Sequence, residues 1–142
     1  MQSGSCSFEL WRVSVDFDGN MIHRVRFLPA AAPGAVPVQF TRFIVGRGTS
    51  FAPLKSAAVA YNAPYSAIYR AVSEIPYGET RTYGEIAAIC DTHARVVGNA
   101  MARNPTPLIV PCHRVVAAKG LGGFSPDIQI KEALLKMEAE HV

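Results

Sequence analysis

Little in this chain suits a membrane, a metal centre or a disulfide framework. No stretch of its 142 residues approaches the roughly 20 consecutive apolar residues that a bilayer-crossing helix needs. The opening MQSGSCSFELW carries neither a basic leader nor an apolar run of signal-peptide length, so a cytoplasmic protein with no membrane partner is expected. Cysteine is scarce and odd in number: Cys6, Cys90 and Cys112 are widely scattered, which does not suit paired disulfides. There is no CxxC pair and no HExxH helix, and His23, His93, His113 and His141 show no metal-ligand spacing. No metal and no cofactor is therefore expected. Charged residues make up only 18% against 49% hydrophobic, which leaves ample material for a core and argues against wholesale disorder. The 11 glycines and 10 prolines interrupt the chain too often for a coiled coil or a long helical bundle.

Acid is missing from one long segment. Between Asp91 and Asp127 there is no carboxylate, while Arg95, Arg103, Arg114 and Lys119 fall inside it. The net charge of +3 says little by itself. An acid-free basic segment suits a polyanionic partner, although an ordinary solvated face has the same composition.

The chain divides near residue 60 into two expected units, 1–60 and 61–142. The first 28 residues read as strands. Phe8, Leu10, Val13, Val15 and Phe17 partly alternate, Met21 to Leu28 supplies Ile22, Val25 and Phe27, and Asp18-Gly19-Asn20 between them is hairpin-turn chemistry. Val36 to Val45 reads as a further strand, with Pro37 at its start or edge. From Tyr65 the period becomes helical, with Tyr65, Ile68, Tyr69 and Val72 on one face, Asn62 as a cap and Pro64 in the first turn. Thr82 and Glu85 fit a capping box for a helix running through Cys90, with Ile86, Ile89 and Cys90 on its buried side. Asp91 or Thr92 caps the next helix, about 93–103, whose inner face is Val96, Val97, Ala100 and Met101. Two short helices so close together are either a helix-turn-helix or a plain helical hairpin. The outer face of the second carries Ala94, Gly98 and Ala102 at spacing four, flanked by Arg95, Asn99 and Arg103. Those small residues are either a packing notch or a surface that lets a nucleic acid approach the backbone.

The segment from Asn104 to Val116 holds the chemistry. Leu108 to Val110 passes through the core and Pro111 closes the run, so Cys112 emerges beside buried structure with His113 and Arg114 next to it. A thiol is a poor nucleophile until ionised, and an adjacent imidazole is the expected proton acceptor. Glu132 on the final expected helix is the candidate acceptor for the other ring proton of His113. A buried, inert thiol remains the alternative on these residues alone.

The motifs from about Tyr65 to Glu140 resemble the O6-alkylguanine-DNA alkyltransferases, or methylated-DNA–protein-cysteine methyltransferases. The resemblance rests on Pro111-Cys112-His113-Arg114-Val115, preceded by Arg103-Asn104-Pro105 and Pro107. Ile75-Pro76-Tyr77-Gly78, Thr82-Tyr83, Arg95-Val96-Val97-Gly98, Gly122-Gly123-Phe124-Ser125 and Lys131-Glu132 extend it in family order and spacing. It implies an α+β fold: a small, divergent N-terminal antiparallel sheet, then a mainly helical unit with a helix-turn-helix and the reactive cysteine. It implies a monomeric, single-turnover DNA-repair transferase acting on double-stranded DNA that contains O6-alkylguanine, flipping the base through the minor groove without any cofactor. Cys112 then resembles the alkyl acceptor, His113 its base, Glu132 the group polarising that base, and Asn104 the brace of the network. Tyr83 resembles the residue that crowds the phosphate and protonates the leaving guanine. Arg95 resembles the side chain that fills the vacated stack, on a recognition helix where Ala94 and Gly98 suit a narrow groove. Asn99, Arg103, Arg114 and Lys119 join the expected DNA-binding set, and Val115, Gly123, Phe124 and Ser125 the expected substrate pocket.

Two departures stand out. Phe124 takes the place of a family tyrosine, and Pro126-Asp127 follows where glycines are more common, so altered tolerance of bulky O6 groups is expected. The competing function is a non-catalytic binder of alkylated DNA. A helix-turn-helix transcription factor lacks the outer-face side chains for major-groove reading, and a cysteine peptidase lacks a third group beside Cys112 and His113.

Overall fold

The computed structural model describes residues 1–60 and 62–141; Tyr61 and Val142, the end positions of the expected second unit, lie outside the described residues. Three strands open the chain as an antiparallel meander: β1 (Gln2–Phe8), β2 (Trp11–Asp18) and β3 (Met21–Leu28). The β2–β3 turn is the one read from Asp18-Gly19-Asn20, with Gly19 at φ +54° and Asp18 paired to Met21. An earlier turn separates Phe8 from Trp11. Glu9 there has φ +54°, and Leu10, expected within an apolar strand, is 91% exposed at the tip.

Val36 to Val45 is not a strand. Residues Val38–Ile44 form helix α1, with Pro37 as its N-cap. Phe40 and Phe43 lie three apart and are both completely buried, a spacing that only a helix places on one face. A two-residue strand, β4 (Lys55–Ser56), then pairs parallel to β3 at Met21 and Ile22 only, which leaves the rest of that edge without a strand neighbour.

Helix α2 (Ser66–Ser73) starts later than the Asn62 cap suggests, because Tyr65 adopts a left-handed conformation at its N-cap. Ile68, Tyr69 and Val72 are buried as the periodicity requires. Helix α3 (Tyr83–Ile89) has the expected capping box, with both the Thr82 and Glu85 side-chain bonds formed. Its buried residues are Ile86 and Ala87, whereas Ile89 is exposed. Helix α4 (Ala94–Ala102) follows after a turn in which Asp91 has φ +54°, and His93 rather than Asp91 or Thr92 is its N-cap. The strands β5 (Arg81–Thr82) and β6 (Val115–Val116) pair in parallel and tie the entry of α3 to the segment after Cys112. Helix α5 (Ile128–Glu140) closes the described fold, capped by the Asp127 carboxylate.

Two apolar clusters hold these elements. One combines Ile68, Tyr69, Val72, Ile86, Val97, Ala100, Val110 and Val115 from the helical half. The other joins the inner face of the sheet and α1 to Leu108, Ile130 and Leu134, so α5 packs with the N-terminal strands. A backbone bond from Val25 N–H to the Pro105 carbonyl, 2.8 Å, ties β3 to the loop after α4. No helix among the described residues is long and apolar enough to cross a membrane.

Candidate active site

The turn before Cys112 is held by one amide. Asn104 Nδ2 donates to the Val110 carbonyl at 2.9 Å, and its Oδ1 accepts from Thr106 N–H at 3.0 Å. Thr106 is itself buried and bonded to Ser56 Oγ at 2.5 Å. Leu108 at φ +79° completes the sharp path that delivers Cys112 into a short 3-10 turn, Cys112–Arg114. A cavity of about 650 Å³ lies over the thiol, walled by the β3 edge (Val25 to Leu28), by α4 (Gly98, Met101, Ala102), by Tyr83 and by Gly123 to Pro126. Cys112 and Asn104 are part of its lining. The contribution of β3 was not foreseen, since the N-terminal half carries no reactive constellation in sequence. Phe124 meets Phe27 edge-on at 5.8 Å between ring centres, so the aromatic wall survives without a phenol.

Behind the cysteine lies a buried ionic network. His113 Nε2 is 2.6 Å from Glu138 Oε2, not from Glu132 as expected. The reason is helical geometry: Ile130, Leu134 and Glu138 follow one another at spacing four on the buried face of α5, while Glu132 is exposed and lines a groove beside Phe8 and Lys136. Arg114 is likewise not a DNA contact. It is buried, with Nε and Nη2 on the Glu138 carboxylate at 2.9 Å each and Nη1 on the Ile75 carbonyl at 2.9 Å. Gly78 N–H adds a further bond to Glu138 Oε1 at 3.0 Å. Burial alone would raise the Glu138 carboxyl, but the bonds from His113, Arg114 and Gly78 hold it down to about 2. Burial pushes the His113 pKa below its ordinary value, against the pull of Glu138. The neutral imidazole therefore donates from Nε2, and its Nδ1 has no hydrogen-bond partner among the described residues.

Burial raises the Cys112 thiol, opposed by the Asn104 side chain, by Lys131 and by the backbone N–H groups of Cys112 and His113. Lys131, to which sequence reasoning assigns no role, lies near enough to the thiol to act on it. It is fully buried, with Nζ 2.6 Å from the Val115 carbonyl, 3.3 Å from that of Gly123 and 5.8 Å from the Tyr83 ring centre. Burial brings its ammonium down to about 8, and the nearby Cys112 works the other way. Tyr83, raised by burial and bonded by the Gly123 backbone, stands close against Gly122: a Cβ there would lie 2.6 Å from the phenol oxygen. Val115 does not line the cavity. It is fully buried in the helical core, and its carbonyl serves Lys131.

On the outer side of α4, Ala94, Arg95, Asn99 and Arg103 are exposed. Nothing lies within 4 Å of a Cβ built on Gly98, so that residue is not a notch for another helix but borders open space. Arg103 Nη1 donates to Tyr65 Oη at 3.0 Å, and Lys119 is exposed in the turn after β6. Gly123 and Ser125 are exposed beside the cavity. Among the described residues no group of histidine, cysteine or carboxylate side chains could hold a metal.

The chain is similar to known proteins of one family. A family model described as "6-O-methylguanine DNA methyltransferase, DNA binding domain" matches residues 63–140. A methylated-DNA–protein-cysteine methyltransferase of Methanopyrus kandleri is 58% identical over 67 residues, covering 47% of this chain and 51% of the relative. One of Sulfolobus acidocaldarius is 44% identical over 75 residues, covering 53% and 48%. The chain thus spans about half the length of these curated relatives. Among solved structures, the O6-methylguanine methyltransferase of Mycobacterium tuberculosis superimposes with a TM-score of 0.83 at 30% identity, over 99% of this chain and 93% of that one.

Proposed function

The chain belongs to the O6-alkylguanine-DNA alkyltransferase family, and on that premise we propose that it repairs O6-alkylguanine in duplex DNA by moving the alkyl group onto its own Cys112. The observation that carries the reading is the Cys112 thiol in the lining of a cavity, followed directly in the chain by a buried imidazole that is paired to an ionised carboxylate. In the proposed reaction, His113 Nδ1 takes the thiol proton, directly or through a water, and Glu138 stabilises the imidazolium. Asn104, Lys131 and two backbone N–H groups support the thiolate that remains. Sγ attacks the alkyl carbon in line with the C–O6 bond, whose electron pair leaves on the oxygen. Tyr83 supplies the proton that turns the departing base into guanine. The product is a thioether that water does not reverse, so each molecule acts once. The absence of transfer in a pure damage binder is disfavoured by the presence of this thiol and its base.

A thiol in that cavity cannot reach a stacked base, so the nucleotide must be extruded, at a cost of a few kcal/mol. The bare outer face of α4 supports entry into a minor groove, with Arg95 filling the gap left behind and Asn99, Arg103 and Lys119 on the backbone. Residues 1–60 would then supply the cavity wall and 61–142 the DNA-binding and transferring unit, acting as a cytoplasmic monomer. Intact-mass measurement after incubation with duplex O6-methylguanine DNA tests the proposal: one methyl group per chain, on Cys112, is expected, and none on Cys112→Ser. Turnover beyond one equivalent, or methylation of Cys6 or Cys90 instead, refutes it.

A further inference from the structure

A second cavity, of about 320 Å³, opens where the C-terminal end of α4 meets α2. Residues Arg103 to Pro105 divide it from the cavity over Cys112: Arg103 and Pro105 line the one, Asn104 the other. Its walls are alanines, prolines and two tyrosines, Tyr65 and Tyr69, with Arg103 the sole ionic residue in the described lining. The guanidinium is placed there by a bond. Arg103 Nη1 donates to Tyr65 Oη at 3.0 Å, and its Nε and Nη2 have no partner among the described residues. Tyr69 Oη is fixed on the Ala100 carbonyl at 2.8 Å, and the two tyrosine rings meet edge-on at 6.2 Å between centres. Tyr65 reaches this position at φ +59°, a left-handed conformation that bulky side chains rarely adopt. The surroundings hold no acid in sequence. There is no carboxylate between Asp18 and Glu74 or between Asp91 and Asp127, and every lining residue falls in one of those stretches. Arg70, exposed beside Tyr69, has Nη1 on the Val59 carbonyl at 3.1 Å and adds a second guanidinium nearby. An apolar cup under a half-free guanidinium suits a sugar–phosphate unit, with the phosphate on the fork and the carbon face of the deoxyribose in the cup.

We propose that this cavity seats the sugar–phosphate backbone of the strand opposite the lesion. The inference rests on the minor-groove reading above and assigns a strand to each side of α4. A minor groove is bounded by two backbones, one from each strand. The lesion strand runs on the side of α4 that faces Cys112, where Gly98, Met101 and Ala102 border the first cavity, because its nucleotide enters there. Arg95, Asn99 and Arg103, at spacing four, follow the other flank and end at the second cavity. The complementary strand is then gripped by Arg103 and Tyr65 while its partner nucleotide is withdrawn. Held in this way it cannot follow the departing base, so the pair separates rather than moving as a unit.

Affinities should be measured in the Cys112→Ser protein, which cannot consume its substrate, on three duplexes that contain O6-methylguanine. The first has all its phosphates, the second has neutral methylphosphonate linkages flanking the position opposite the lesion, and the third has them flanking the lesion itself. On the first, adding Arg103→Gln should weaken binding about fivefold and lower the salt slope by about 0.9, the share of one phosphate. On the second, Arg103→Gln and its parent should bind alike, because the contact is already gone. On the third the fivefold difference should persist. Ala63→Leu, which fills the cup, should also weaken binding to the first duplex. A difference that vanishes on the third duplex puts Arg103 on the lesion strand and overturns the proposal. So does an Ala63→Leu protein that binds like its parent, an Arg103→Gln protein that does so on all three duplexes, or an equal Arg103→Gln loss on all three. Failure of the wild type to take a methyl group from the first duplex overturns the alkyl-transfer reading itself, and this inference with it.

Discussion

Replacing Glu138 by Gln keeps its shape and removes its charge, which tests the buried network directly. A carboxyl held at about 2 rather than at its ordinary 4.5 reflects an anion favoured by the fold by about 3 kcal/mol. The known cost of breaking a buried ion pair by removing one partner, about 3–5 kcal/mol, gives the same size by a separate route. Glu138→Gln is therefore expected to lower stability by about 3 kcal/mol in urea unfolding at pH 7, chiefly by stranding Arg114. The sign with pH follows from the depressed value. The contribution of Glu138 is complete above pH 4.5 and drains away as the pH falls toward 2. Wild type and variant should thus converge in stability in acid. The same variant removes the partner that orients His113, so single-turnover methyl transfer should slow by about 10² or more. Glu132→Gln is the matched control, expected to change stability by less than about 0.5 kcal/mol and the rate not at all. Equal urea midpoints for Glu138→Gln and wild type, or a Glu132→Gln rate as low as that of Glu138→Gln, would refute the assignment.

Two of the three arginines of the basic segment, Arg95 and Arg114, should part company. Arg95→Ala should slow transfer from duplex DNA while sparing the free modified base, with stability intact; an equal fractional loss on both would make Arg95 a support for the cavity. Arg114→Ala should instead lower the urea midpoint steeply and leave the salt dependence of DNA binding unchanged, and a salt slope reduced by about one would return it to the DNA-binding set. The ammonium of Lys131 adds a pH signature. With its folded pKa drawn down to about 8 from 10.5, burial of the cation costs stability below pH 8 and that cost is relieved between pH 8 and 10.5, while support for the thiolate is lost as the pH rises through about 8. Lys131→Met should erase this alkaline change in transfer rate, and an unaltered rate profile would remove Lys131 from the site.

What the sequence made legible was local. The Thr82–Glu85 box is two bonds between residues three apart, and the Gly19 turn needs only its own backbone freedom. The reactive Cys112-His113 pair is contiguous. What escaped depended on distance or on choosing among periodicities. Phe40 and Phe43 at spacing three signalled a helix, but Pro37 and the apolar run from Val36 drew the reading toward a strand. Glu138 is 25 residues from its histidine, yet a signal existed: a carboxylate in line with Ile130 and Leu134 on an apolar stripe needs a buried partner. Glu132, two residues beyond Ile130, points the other way. Arg114 was read by charge, which cannot distinguish a cation facing phosphate from one facing a carboxylate in the core. The β3 wall of the cavity had no signal at all, because only the fold brings that strand beside Cys112.

The apolar cluster that spans the sheet and α5 also sets how freely the two halves of the chain can drift. The segment around Cys112 admits few replacements, since Asn104, His113, Lys131 and Glu138 each act through atoms at fixed positions. Phe8, Val13, Val15, Val25 and Phe27 meet a looser demand, that of an apolar face of the right volume beneath Leu108, Ile130 and Leu134. Many alternating sequences meet it, because cores accept exchange among hydrophobic residues when volume and pattern are kept. The opening strands are therefore free to lose sequence likeness while keeping their shape. A mutation in them is felt at Cys112 chiefly when it moves the edge of β3, where divergence would reshape the cavity wall without touching the buried network behind the thiol.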